Sequence, residues 1–181
     1  MAKIKGFQMK NIKYILGREG YGCSASLYLD GKRIGTYIDY GDGGEEIVEY
    51  TSKENEEKMM KFIIEYAKDH PSKFIMDLYK ERHQQFKEEC KRFKKYYPYI
   101  SNEDITIETM SANSIVYVVE DFFKLYEREK AFKKYIKKGY RAISANGNNI
   151  TAYPSSWTDE KIKEKAKDEE LYFSLDDFII E

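Results

Sequence analysis

At 181 residues the chain is sized for one domain, and it can bury enough surface to fold without a disulfide or a metal. With 41% hydrophobic and 35% charged residues it has the composition of a globular protein with a densely ionic surface, which excludes a disordered chain. Two cysteines, Cys23 and Cys90, make no disulfide framework, and the longest apolar run, at 115–119, is too short to span a bilayer.

Lys3, Lys5 and Lys10 interrupt the first ten residues, so no signal peptide is expected and the chain reads as cytosolic. A first strand is expected at 12–16. The run CSASLYL at 23–29 then alternates small or polar with apolar residues, and Asp30-Gly31 supplies the φ > 0 pair of a tight hairpin. Ile34, Thr36 and Ile38 continue on the return strand. Glycines 41, 43 and 44 mark a second turn, and IVEY at 47–50 a third strand.

TSKE at 51–54 fits a capping box opening a helix through Met59, Met60, Ile63, Ile64 and Ala67, which Pro71 must stop. Ser72 starts a second helix, with Ile75, Leu78, Tyr79, Phe86, Cys90, Phe93 and Tyr97 spaced by threes and fours as far as Pro98. Residues 105–110 read either as a strand or as a helical turn. A third helix runs from Asn113 through Ile115, Val118, Val119, Phe122, Tyr126, Phe132 and Ile136 to a C-cap at Gly139. Residues 140–145 and 149–153 flank Asn146-Gly147 as a second hairpin. A short surface helix is expected at 157–167, and an apolar tail broken by Asp176-Asp177 closes the chain. Strands and helices are segregated, so the expectation is α+β: a single domain over 1–181, with a β-meander at 1–51, helices at 52–138, and a hairpin, short helix and tail at 139–181. In that arrangement a small antiparallel meander and a C-terminal hairpin pack on two or three long helices.

Little material for catalysis is present. GREGYGCS at 17–24 has nearly the spacing of a phosphate-binding loop, but Cys23 stands where the lysine belongs, and a strand rather than a helix follows. Only two histidines, His70 and His83, are available to activate Cys23 or to bind a metal. The carboxylates of DYGDGGEE at 39–46 lack calcium-loop spacing. The reading is therefore no enzyme, no catalytic residue, no metal and no cofactor.

A formal net charge of −1 hides segregated fields, with an acidic stretch at 39–57 and basic blocks at 80–95 and 124–141. Arg18, Glu19, Asp39, Asp42, Glu45 and Glu46 are the candidate partner-binding residues, on glycine-rich turns suited to docking on a basic surface. Lys91, Lys94 and Lys95, with Lys133, Lys134, Lys137 and Lys138, are the candidate nucleic-acid contacts at two helix ends. Helical spacing places most of the aromatic rings among them on the buried stripe.

GREGYGCSASLYLDGKRIG at 17–35, followed by DYGDGG at 39–44, resembles the opening of small proteins carried by phages and mobile elements of gut bacteria. Tyr153-Pro154 and SLDDF at 174–178 are similar to their endings. Among such proteins are anti-CRISPR inhibitors of the type II-A class. That resemblance implies a non-enzymatic inhibitor, and the chain is read as a monomer or homodimer in the cytoplasm of a bacterial host. Its implied partner is the type II CRISPR RNA-guided nuclease, alone or with guide RNA or DNA. It carries no contact residues over. The alternative left open is a phage or plasmid accessory protein that binds nucleic acid through its basic helices.

Overall fold

The computed structural model describes residues 1–70, 83–96, 98–100 and 115–181. In the first fifty residues a period of two decides which side chains are buried. Strand β1 (Lys3–Ile4) turns at Lys5 and Gly6, both at positive φ, into β2 (Phe7–Leu16), where Phe7 and Met9 face the core. The strand expected at 12–16 is thus longer, and a two-residue strand precedes it. Strand β3 (Tyr21–Leu29) buries Cys23, Ala25 and Leu27 at alternate positions, then meets β4 (Lys32–Asp39) through Asp30 and Gly31, at φ 49° and 77°. This is the mirror-image turn whose twist matches that of paired strands. Strand β5 (Ile47–Tyr50) pairs antiparallel with β4, Ile38 opposite Ile47 and Thr36 opposite Glu49.

The sheet these strands form has six members rather than a simple meander, in the order β5-β4-β3-β2-β1-β9. Its last member, β9 (Ile179–Ile180), comes from the C-terminal tail and lies parallel to β1, with Lys3 opposite Ile179. A second sheet, in the order β7-β6-β8, joins β6 (Tyr140–Asn146), β7 (Asn149–Pro154) and β8 (Glu170–Tyr172). The hairpin loop is Gly147-Asn148, one residue beyond the expected Asn146-Gly147, because Asn146 pairs with Asn149. With helices beside these largely antiparallel sheets, the fold class is α+β.

Contacts divide the chain into two compact units, one of Asn11–Leu27 and Arg33–Val119, the other of Met1–Lys10, Tyr28–Lys32 and Glu120–Glu181. In the former, helix α1 (Lys53–Asp69) is capped by Ser52, whose hydroxyl accepts from the Asn55 amide at 3.2 Å. The expected box from Thr51 to Glu54 is therefore displaced by one residue. Thr51 instead donates its hydroxyl to the Ile34 carbonyl at 3.1 Å, tying the helix entry to β4. Met59, Met60, Ile63, Ile64 and Ala67 are all buried, as their spacing predicts, and the helix ends two residues short of Pro71. Helix α2 (His83–Tyr96) adds Phe93 to a cluster with Met60, Ile64 and Ile100, and Cys90 packs beside it. The rest of the expected second helix, and the ambiguous segment at 105–110, lie outside the described residues.

In the other unit the later turns of helix α3 (Ile115–Ile136) bury Phe122, Leu125, Glu129 and Phe132, spaced by threes and fours. Phe7 meets Phe122 edge-on at 5.8 Å, and Phe178 stacks on Tyr172 at 4.6 Å while touching Phe132 at 5.5 Å. Such ring pairs add about 0.5–1.5 kcal/mol beyond the area they bury. Helix α4 (Asp159–Lys165), capped by Thr158, lies within the expected 157–167 and seats Ile162 on Ala142, Tyr153 and Ala166. Among the described residues no helix is long and apolar enough to cross a membrane.

Candidate functional site

The glycine-rich segment is a piece of close backbone packing. Gly17 and Gly22 lie against the chain at residues 39–41, where a Cβ on Gly17 would run into the Tyr40 carbonyl and one on Gly22 into the Asp39 carbonyl. The Glu19 amide donates to the Gly41 carbonyl at 2.9 Å, and the Glu19 side chain lies over Gly43. The glycines therefore serve chain-to-chain approach, and β3 follows them in place of a phosphate-receiving helix.

This packing gathers the candidate partner-binding residues at one end of the strands. Arg18 and Glu19 come beside Asp39 and Asp42, and Glu45 and Glu46 follow in the loop leading to β5. Asp39 is partly used within the loop, its carboxylate accepting from the Gly41 amide at 2.8 Å. The other five are exposed. Around them stand large apolar side chains that the charge pattern did not reveal. Leu16 and Tyr21, flanking the turn, are 75% and 79% exposed, and Tyr40 and Ile47 are exposed as well. Exposed rings and aliphatic groups ringed by carboxylates have the composition of a protein-docking surface.

Cys23 lies near this loop but is buried. Desolvation pushes its thiol up to about 11, and the Asp39 charge pushes in the same direction. A thiol in that state is protonated near neutral pH and is a poor nucleophile. Among the described residues no group of carboxylates, histidines and cysteines is arranged to hold a metal ion.

The second charged surface follows the end of α3 and the turn after it. Lys133, Lys134, Lys137 and Lys138 share an open groove of about 920 Å³ with Lys130, Glu127, Ala131, and Asn148 and Ile150 of the β6–β7 hairpin. A smaller cavity of about 370 Å³ adjoins it through Glu127, Asn148 and Ile150, and is walled by Phe123, Lys124, Arg128, Glu120 and Gly147. Lys133 pairs with the buried Glu129 at 2.6 Å and Lys130 with Glu127 at 2.8 Å. Lys134, Lys137 and Lys138 are exposed and have no carboxylate within 4 Å among the described residues. Arg128 is committed elsewhere, to Glu170 at 2.6 Å and the Tyr172 hydroxyl at 3.0 Å.

Glu129 fixes the helix that carries this groove. Its two oxygens take the Ala2 amide at 2.7 Å, the Met1 ammonium at 3.0 Å and the Lys133 ammonium. Burial alone would raise its pKa, but these donors outweigh burial and hold it below the ordinary glutamate value.

Lys91, Lys94 and Lys95 lie on α2, in the other compact unit from the groove lysines. Lys94 is bonded to the Ile100 carbonyl, whereas Lys91 and Lys95 are exposed. Of the rings interleaved with the basic blocks, Phe93 and Phe132 are core residues and Tyr96 is exposed. Sequence reasoning missed Lys130, one helical turn before Lys134, although the same spacing contains it. It also missed Phe123, Asn148 and Ile150, which only the fold brings to the groove. No family model, curated protein or solved structure matches this chain.

Proposed function

We propose that this protein is a non-enzymatic inhibitor that binds a type II CRISPR RNA-guided DNA endonuclease in the bacterial cytoplasm and blocks cleavage of target DNA. The observation that carries the reading is the turn end of the strands, where exposed Tyr21, Tyr40, Leu16 and Ile47 stand among Glu19, Asp42, Glu45 and Glu46. Nucleases of that class hold guide and target in positively charged channels and depend on large domain movements. An acidic surface with tyrosine anchors has the charge to enter such a channel and the apolar area to stay there. The resemblance of residues 17–35 and 39–44 to small phage and mobile-element proteins, among which are type II-A inhibitors, supports the same target. Buried Cys23, its thiol pushed up by desolvation, is poorly suited to nucleophilic chemistry.

The test is DNA cleavage by reconstituted type II nucleases, with the protein titrated in before and after guide loading. Inhibition saturating near equimolar protein is expected, lost in a Tyr21→Ala/Tyr40→Ala variant that remains folded by circular dichroism. Undiminished cleavage at all ratios across several type II enzymes contradicts the reading.

A further inference from the structure

The lysine groove is a second charged surface, and it stands apart from the nuclease reading. Lys130, Lys133 and Lys134 lie on the last turns of α3, and Lys137 and Lys138 in the turn that follows it, so five cations succeed one another along one wall of the groove. Three of the five lysines, Lys134, Lys137 and Lys138, have no internal carboxylate partner among the described residues and occupy one end of the groove. Last-turn cations also suit the negative end of the helix dipole, so the ladder is compatible with a stable helix.

At the opposite end the character changes. The adjoining cavity has an apolar wall of Phe123 and Ile150, and a hairpin turn with no bulky side chain at Gly147. At about 370 Å³ it falls in the range that takes a small planar group. Carboxylates bound where a polyanion can lie. Glu127 is paired with Lys130, while Glu120 is exposed and lines the adjoining cavity, where its charge disfavours a phosphate. The cations without a carboxylate partner thus stand at the Lys134–Lys138 end, and the apolar wall at the other. A duplex keeps its base faces stacked and hidden, whereas a single strand offers both parts together: phosphates for a cationic track and a free base face for an aromatic wall.

We propose that this groove binds single-stranded nucleic acid, with the phosphodiester backbone along Lys134, Lys137 and Lys138 and an unstacked base against Phe123 and Ile150. Fluorescence anisotropy on the full chain tests it, using a labelled oligothymidylate of about 20 nucleotides, the matching duplex, and an abasic sugar-phosphate strand of equal length. The expected order of affinity is oligothymidylate, then abasic strand, then duplex. The slope of log affinity against log salt should be about −2, from three phosphates at about −0.7 each. A Lys134→Glu/Lys137→Glu/Lys138→Glu variant should weaken binding at least about tenfold and flatten the salt slope. Phe123→Leu, which keeps an apolar side chain but removes the ring, should lower affinity for oligothymidylate several-fold and leave the abasic strand unaffected. Equal or tighter binding of duplex, an unchanged slope in the triple variant, or no binding of oligothymidylate at low salt would each overturn the proposal. Retention by polyglutamate with no oligonucleotide binding would overturn it too, and point to an acidic protein segment instead. Inhibition of a nuclease has no bearing on these outcomes, so the two readings fail separately.

Discussion

The acidic turn end and the lysine helix carry opposite charge, and they are built in opposite ways. At the turn end the chain is held by backbone: Gly17 and Gly22 pressed on residues 39–41, and an Asp39 carboxylate closing the loop. Asp42, Glu45 and Glu46 are exposed there. On α3 the reverse holds. One buried carboxylate, Glu129, ties the helix to Met1 and Ala2, while the aromatic set Phe122, Phe132 and Phe178 packs beneath. Apart from Asp39, charge at the turn end is thus a surface property separable from the fold. On the helix Glu129, Lys133 and Arg128 are held in internal pairs, whereas Lys134, Lys137 and Lys138 are not. Two runs that look alike in sequence, one acidic and one basic, therefore divide differently between stability and recognition.

The comparison can be broken first at the helix. Phe178→Ala removes a fully buried ring that contacts both Phe132 and Tyr172, and should cost about 3–5 kcal/mol in denaturant unfolding. A loss under about 1 kcal/mol would show that the tail is not part of the core. Glu129→Leu leaves the Ala2 amide unsatisfied and should cost about 1–3 kcal/mol at neutral pH. Because the folded pKa of Glu129 is held below its unfolded value, its contribution is present above the ordinary glutamate pKa of about 4.3. It fades as pH falls through the lower folded value, so wild type and variant should converge in stability in acid. A gap that widens on acidification would contradict that assignment. The smallest effect belongs to the turn end. Asp42→Lys/Glu45→Lys/Glu46→Lys should change unfolding free energy by no more than about 0.5 kcal/mol while weakening nuclease inhibition strongly.

How much of this was legible depends on the range of the interaction. The Asp30-Gly31 hairpin, strand β5 and the buried stripe of α1 follow from turn chemistry and periodicity, which are local, and they stand where the sequence puts them. Where neighbouring residues compete for one role, the pattern was off by one. Ser52 caps rather than Thr51 because Thr51 is drawn to Ile34, and Gly147-Asn148 forms the loop because Asn146 stays in the ladder. The pairing of β1 with β9 joins residues 3 and 179 and leaves no local trace. Glu129 reads as one more surface charge in a run of Glu, Arg and Lys, and only tertiary structure makes it a buried anchor. The lysines at the end of α3 and just beyond it were visible as a basic run. The hairpin that turns them into a groove was not.

The most direct test of the central claim is calorimetric titration of this protein into a type II CRISPR nuclease, with and without guide RNA. Binding that saturates near one copy per nuclease, and is lost with Tyr21→Ala/Tyr40→Ala in a folded protein, is the predicted result. Absence of binding in both nuclease forms, or binding unaffected by that variant, would contradict an inhibitor acting through the turn end of the strands.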